Sequence, residues 1–121
     1  MAYNQHLAIR IREQLKYYSE AFTEKKMFGG ISFLYEGKMT IGVIKEELIV
    51  RVINDKMAKE LEKTNVRPMD FTKKPTKEFV YVSQNSVKTE TELLHYIELG
   101  LEHAKSKLQH YSHVKSLFLM I

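Results

Sequence analysis

The chain has 121 residues, of which 44% are hydrophobic and 28% are charged, with 5 Gly and 2 Pro. This composition suits one compact domain and excludes a disordered or collagen-like chain, because the apolar residues suffice to build a core. The absence of cysteine excludes disulfides, a thiol nucleophile and any Cys-ligated metal. The formal net charge of +4 permits an acidic partner without requiring one.

Neither end of the sequence has the pattern of a membrane or export signal. The longest apolar run, residues 117–121, is far shorter than the roughly 20 residues that span a bilayer. The first residues are polar and lack the basic and then apolar segments of a signal peptide. We therefore expect a cytoplasmic protein that does not contact a membrane.

In chain order, the first predicted element is a helix over residues 5–18. Asn4 is a suitable N-cap, since its side-chain oxygen can accept a hydrogen bond from a free amide of the first turn. Apolar residues then recur at helical spacing and form one stripe: Leu7, Ala8, Ile11, Leu15 and Tyr18.

The hydrophobic period then changes to two, which predicts a β-meander. Segments 31–35 and 39–44 alternate, and residues 48–53 form the strongest β run in the chain. Turns are expected at residues 36–38, where Gly37 can supply a positive φ, and at residues 45–47. Together these segments predict three or four antiparallel strands.

A short helix and a loop are expected after the meander. Either Asn54 or Asp55 can cap the helix. Residues 64–77 are predicted as a loop, because both prolines fall here and proline lacks the amide that a central strand needs. The apolar residues expected on the short helix are Met57, Ala58 and Leu61.

The last predicted elements are a strand over residues 79–82 and a long helix. Thr89 and Glu92 match a capping box that opens the helix. The predicted fold class is therefore α+β, an antiparallel β-meander sheet packed against N- and C-terminal helices. The predicted core face of the long helix is Leu93, Leu94, Ile97, Leu101, Ala104 and Leu108.

A basic segment is the best candidate for a binding surface. Residues 63–77 carry five basic side chains against the carboxylate of Asp70, a local net charge of +4. Such a loop can contact phosphates, and Phe71, Phe79 and Tyr81 lie near enough in sequence to stack on bases. The alternative is a solvated charged face beside core aromatics. The candidate residues for binding a nucleic acid or a protein partner are Lys25, Lys26, Arg51, Arg67, Lys73, Lys74 and Lys77.

Arg51 stands out because strand alternation places it among apolar residues. It shares a strand face with Ile49 and Ile53, and an unpaired buried guanidinium is very costly. One interpretation is a contact to an anion or a partner in a shallow pocket. The other is a structural salt bridge to Asp70 or Glu36, or an outward strand face.

No residue pattern indicates catalysis, a metal or a cofactor. The Gly29-Gly30 pair lacks the spacing of a phosphate-binding loop, so a structural bend is the better interpretation. His103 and His110 share a helical face and His113 follows three residues later, but apart from Glu102 no carboxylate lies at ligand spacing beside them, so a surface cluster is the better interpretation. We therefore expect neither an enzyme nor a metalloprotein.

The chain carries four strings in the order and spacing of a known family: Lys25-Lys26-Met27-Phe28-Gly29-Gly30, Leu48-Ile49-Val50-Arg51-Val52, Arg67-Pro68-Met69-Asp70-Phe71 and Val80-Tyr81-Val82. They resemble the N-terminal domain of the TfoX/Sxy family of bacterial competence regulators. The resemblance implies a fold of the YjbR-like group and a role in transcription regulation, without catalytic residues. Its most specific residues, interpreted as a structural motif, are Met27, Phe28, Gly29, Gly30, Pro68 and Met69.

The resemblance divides the chain into a TfoX N-terminal-like α+β domain, residues 1–108, and a C-terminal helical extension, residues 109–121. Apolar residues of the extension recur at helical spacing. They can pack on the domain itself, form a homodimer or dock another protein. The sequence leaves these alternatives open.

Two functional hypotheses follow. The first is a non-enzymatic regulatory domain that acts on transcription through a protein partner, such as the transcription machinery. The second is a small nucleic-acid-binding module that uses the basic loop. The two differ in salt dependence, because phosphate contacts weaken steeply as salt rises.

Overall fold

The predicted α+β class is confirmed: one antiparallel sheet of six strands packs against the N-terminal and C-terminal helices. A computed structural model of the chain describes residues 3–27, 29–69 and 76–120, with the backbone alone for residues 76, 77 and 109–120. The strands follow the order β1-β2-β3-β4-β6-β5, and all neighbours are antiparallel. The elements are α1 (Gln5–Leu15), β1 (Phe22–Met27), β2 (Gly30–Tyr35), β3 (Lys38–Ile44), β4 (Glu47–Arg51), α2 (Asn54–Leu61), β5 (Val66–Met69), β6 (Thr76–Ser83), a 3₁₀ turn (Gln84–Ser86) and α3 (Glu90–Met120).

Side-chain caps begin two of the helices where the sequence predicted them. The amide of Leu7 donates to Asn4 Oδ1 at 3.0 Å, so Asn4 caps α1. At α3, the amide of Thr89 donates to Glu92 Oε1 at 2.9 Å and the amide of Glu92 donates to Thr89 Oγ1 at 3.2 Å. This reciprocal pair is a capping box, and it satisfies two amides that the helix itself leaves free. Helix α1 ends at Leu15, earlier than the predicted residue 18.

The turns of the meander also lie where they were predicted. Glu36 and Gly37 join β2 to β3 with φ values of 49° and 80°, both in the left-handed region. Strand β3 then carries one extra residue, Thr40, because Phe33 pairs with Ile41 whereas Leu34 pairs with Met39. The hydroxyl of Thr40 donates to the Phe33 carbonyl oxygen at 2.9 Å, so a side-chain hydrogen bond links the two strands at this bulge.

The main core lies between one face of the sheet and helices α1 and α3. Helix α3 approaches the sheet closely at Gly100, where a Cβ atom would lie 2.3 Å from the Thr40 carbonyl oxygen. Only glycine allows this distance. The core includes Leu7, Ala8 and Ile11 of α1, Phe33, Ile41, Val43, Leu48, Val50, Val80 and Val82 of the sheet, and Leu93, Tyr96, Ile97 and Leu99 of α3.

A second apolar cluster lies on the opposite face of the sheet. Its buried members are Met39, Ile44, Ile49 and Met69. Half-buried side chains pack against them, namely Met27, Leu34, Phe79 and Tyr81. Both faces of the sheet are therefore apolar, which explains why β3 reads as an almost continuous hydrophobic run.

Two strands were not predicted. Residues 22–27 form β1, although their composition is polar and charged, because the strand lies at the sheet edge and four of its six residues are exposed. Residues 66–69 form β5 inside the predicted loop. Pro68 fits there because β5 is the other edge strand, where a missing amide leaves no central hydrogen bond unmade.

The predicted cap of α2 was wrong. Its N-cap is Ile53, without a side-chain hydrogen bond, and Asn54 is the first helical residue. The buried residue of α2 is Glu60, at 3% exposure, whereas Leu61 is 36% exposed. The carboxylate of Glu60 is buried with basic partners, namely Lys63 in the turn after α2 and His95 on α3.

Helix α3 buries more of its surface than predicted. Tyr96, Leu99 and His103 are buried in addition to the expected residues, whereas Leu94 and Leu108 are only half-buried. The helix runs without a break to Met120, so the backbone of residues 109–120 continues the helix of the domain. In the described part of the chain, no helix combines the length and apolar character needed to cross a membrane.

Candidate functional site

Arg51, at the end of β4, forms a structural ion pair. Its Nη2 donates to Glu78 Oε2 at 2.9 Å, and its guanidinium lies 5.3 Å from the ring centroid of Phe79, its cross-strand neighbour. The expected partner Glu36 is wrong, because Glu36 lies in the turn between β2 and β3. The other expected partner, Asp70, lies outside the described residues.

Two further basic groups surround Glu78. His103 Nε2 lies 3.3 Å from Glu78 Oε1, and Lys107 Nζ lies 3.6 Å from the same oxygen. The hydrogen bond from Arg51 holds the pKa of Glu78 below its ordinary value, against the opposing effect of burial. Burial and the charge of Arg51 lower the pKa of His103, an effect that favours the neutral imidazole.

Arg67 forms the same kind of arrangement on β5. It donates to Glu47, and its guanidinium lies 4.3 Å from the ring centroid of Tyr81. Phe79 and Tyr81, the described aromatics proposed for base stacking, therefore each have a guanidinium over the ring. Binding a nucleobase on these rings would require the guanidinium to move away from its carboxylate.

The remaining predicted binding residues do not lie beside Arg51 or Arg67 in the described part of the chain. Lys25 and Lys26 are exposed on β1, at the opposite edge of the sheet from β5. Lys73 and Lys74 lie outside the described residues, and so does the side chain of Lys77. Within the described residues, the basic set is therefore spread across the sheet, with Arg51 on the central strand β4 and Arg67 on β5.

The family motif residues occupy structural positions. Gly29 has a φ of 78°, and a Cβ atom on Gly30 would lie 2.0 Å from the Val43 carbonyl oxygen. Met27 and Met69 pack in the second apolar cluster. Pro68 lies on the edge strand β5, and Phe28 is outside the described residues.

A cluster of acid and base side chains around the buried Glu60 of α2 was missed at the sequence level. Glu60 Oε2 lies 2.9 Å from Lys63 Nζ and 3.0 Å from His95 Nε2. Burial acts to raise the pKa of Glu60, but the hydrogen bonds from Lys63 and His95 outweigh it and lower that pKa. The cluster borders a groove of about 890 Å³ between the two helices. The i,i+3 spacing of Glu60 and Lys63 was the available signal.

Internal pairing uses every arginine in the chain. The pairs are Arg10–Glu90, Arg12–Glu24, Arg51–Glu78 and Arg67–Glu47. Lys56, Lys63 and Lys105 also have glutamate partners. The arginines, whose planar guanidinium suits paired contacts with phosphate oxygens, are therefore engaged by carboxylates within the fold.

The fold and these contacts define a small α+β domain whose charged groups mainly hold elements together. No group of three or more metal-ligating side chains occurs among the residues that the structure describes. A model of the TfoX N-terminal domain family matches residues 13–104, from within α1 to the middle of α3. The chain belongs to this family. Searches of curated proteins and of solved structures gave no match.

Proposed function

We propose that this chain is a non-enzymatic regulatory domain that acts on transcription, in the manner of a competence co-regulator, by binding a protein partner in the cytoplasm. Membership of the TfoX N-terminal domain family supports the regulatory role. The balanced arginines favour a protein over a nucleic acid as the partner. The observation that carries the proposal is the contrast between the two edges of the sheet.

Strand β1 is a regular edge. All six of its residues pair in unbroken register with β2, and it contains no proline. Strand β5 has four residues, a proline and a register shift between Pro68 and Met69, which are features that blunt an edge against further pairing. Among the strands that the structure describes, β1 is thus the better template for an added strand.

The charges on β1 select the partner. Lys25 and Lys26 are exposed on opposite faces of the strand, whereas Glu24 is engaged by Arg12. Lysines on an edge oppose pairing with a second basic or apolar edge. A partner strand with acidic side chains opposite Lys25 and Lys26 would turn this barrier into cross-strand ion pairs.

The test is genetic and biochemical. In the organism that encodes the chain, deleting the gene should change the transcripts of DNA-uptake genes, and the wild-type gene should restore them. A Lys25→Glu/Lys26→Glu variant should fail to restore them, whereas the matched charge change Lys38→Glu/Lys88→Glu, at exposed positions away from β1, should succeed. Unchanged transcripts after deletion would contradict the regulatory role, and restoration by both variants would exclude the β1 edge.

Direct nucleic-acid binding is the competing outcome. Fluorescence anisotropy with duplex and single-stranded DNA at about 50 and 200 mM salt covers the range over which phosphate-driven affinity collapses. Salt-sensitive binding that a Lys73→Glu/Lys74→Glu variant loses would favour the nucleic-acid module. Light scattering on the same sample tests whether the chain forms a homodimer, one of the alternatives that the sequence leaves open for residues 109–121.

A further inference from the structure

A second cavity lies where the start of α2 faces α3 and β6. Its volume is about 500 Å³, within the range of about 300–1,000 Å³ typical of small-molecule sites. We call it the Glu78 cavity. It is lined by Val52, Ile53, Asn54, Glu78, His103, Ser106 and Lys107.

The Glu78 cavity has more basic than acidic groups at its wall. Glu78 is the carboxylate of the lining, and it is contacted by His103 and Lys107 of the lining and by Arg51, which is not part of the lining. The side chain of His103 is 3% exposed, and its Nδ1 has no hydrogen-bond partner among the described residues. The same is true of Arg51 Nε. Buried nitrogens without partners are costly and call for a ligand or an ordered water.

The beginning of α2 supplies further donors. Ile53 provides no side-chain cap, and the amide of Lys56 bonds back to the Ile53 carbonyl at 3.0 Å. The amides of Asn54 and Asp55 have no backbone partner in the described part of the chain. Free amides at a helix N-terminus attract an anion through their N–H groups and the helix dipole.

We propose that the Glu78 cavity binds a phosphate group, either inorganic phosphate or the monoester of a small molecule. Lys107, His103 and the first amides of α2 would donate to its oxygens. The apolar walls at Val52 and Ile53 leave room for the organic part of a monoester. This proposal is independent of the β1 edge, because three strands separate β1 from β6 in the sheet.

Phosphate binding would couple to protonation of His103. The charged groups that act on its imidazole are Glu78 on β6, Arg51 on β4 and Lys107 on α3, and α2 carries one acidic residue in its first turn, Asp55. An added anion favours the imidazolium, whose Nδ1 then becomes a donor. Binding of a non-titrating dianion should therefore strengthen as the pH falls from 8 to 6.

The experiment is a titration of the full chain with sodium phosphate, glycerol 3-phosphate and sulfate, followed by ¹⁵N NMR and calorimetry. We expect saturable binding with a Kd in the range of about 1 mM, with shifts at Asn54, Asp55 and the His103 ring. Sulfate keeps its charge between pH 6 and 8, so its pH dependence reports His103. If glycerol 3-phosphate binds more tightly than phosphate, the site is assigned to a monoester. If the two bind equally, the site is assigned to the free ion.

Two variants and one control decide the outcome. Lys107→Gln, at an exposed position, should weaken binding about tenfold because a charge-assisted hydrogen bond is lost. His103→Gln should remove the pH dependence, and if it fails to fold, Lys107→Gln and the sulfate series still test the site. Lys88→Gln, exposed and outside the cavity, should bind as the wild type does. No saturable binding up to about 20 mM, or equal loss in Lys88→Gln and Lys107→Gln, would overturn the proposal.

Discussion

The close approach of α3 to β3 at Gly100 predicts that a single added methyl group destabilises the fold. In a Gly100→Ala variant, the new Cβ would lie 2.3 Å from the Thr40 carbonyl oxygen and 2.6 Å from its carbonyl carbon. Even a short C–H···O contact places carbon and oxygen about 3.3 Å apart, so α3 and β3 must separate by about 1 Å. A gap of that size forfeits a quarter to a half of the dispersion energy of the atoms on both sides.

The sign of the effect separates packing from helix propensity. Overpacking of a core costs about 1–3 kcal/mol, whereas replacing Gly by Ala within a helix gains about 1 kcal/mol. We expect Gly100→Ala to lower the free energy of unfolding by about 1–2 kcal/mol, since the carbonyl is backbone and sits on a bulge that α3 holds in place. At an exposed helical position the same change would stabilise the protein.

Urea denaturation with circular dichroism measures this difference through the midpoint. Ser106→Gly and Ser106→Ala, at an exposed position further along α3, supply the local propensity as a control. A Gly100→Ala variant that is more stable than the wild type by the Ser106 difference would refute the close approach. An unchanged m-value with a lower midpoint would support it.

Three other predictions concern a cap, a buried acid and a turn. Thr89→Ala should lower the free energy of unfolding by about 1 kcal/mol because the capping box is lost, and Glu92→Gln should lower it by less. A Thr89→Ala variant as stable as the wild type in urea denaturation would contradict the cap. Because the folded-state pKa of Glu60 lies below its unfolded value, its stabilising contribution is full above the unfolded pKa and is lost as the pH falls through the folded one. Glu60→Gln should therefore lower the free energy of unfolding at pH 7 and reduce the fall of that free energy as the pH is lowered toward about 4. Urea denaturation at a series of pH values measures this, and a pH dependence equal to that of the wild type would refute it. Glu36→Asn should stabilise the protein by about 0.5–1 kcal/mol, because Asn tolerates the φ of 49° at which Glu is strained; a lower melting temperature would contradict it.

Local sequence signals located most of the elements. The polar cap at Asn4, the capping box at Thr89 and the glycine turn at residues 36–37 each depend on neighbours within a few residues, so the sequence is sufficient to predict them. The strong β runs also predicted which residues share a face of a strand. Arg51 was placed correctly beside Ile49 for this reason, since alternation along a strand is a local property.

Strand pairing at the edges escaped prediction because it depends on partners far along the chain. Residues 22–27 are polar and become β1 only because β2 offers a free edge. Residues 66–69 become β5 only because β6 returns beside them. Neither segment has enough local preference to form a strand alone.

The sequence by itself determined the fold class, the starts of α1 and α3, the central strands and the family to which the chain belongs. The tertiary structure decided which charges meet: Arg51 with Glu78 and His103, and Glu60 with Lys63 and His95. Most of these partners lie on different elements, and their distances are set by how α2 and α3 pack on the sheet. An ion pair between distant residues has no local pattern, so the candidate sites became visible only once the chain was folded.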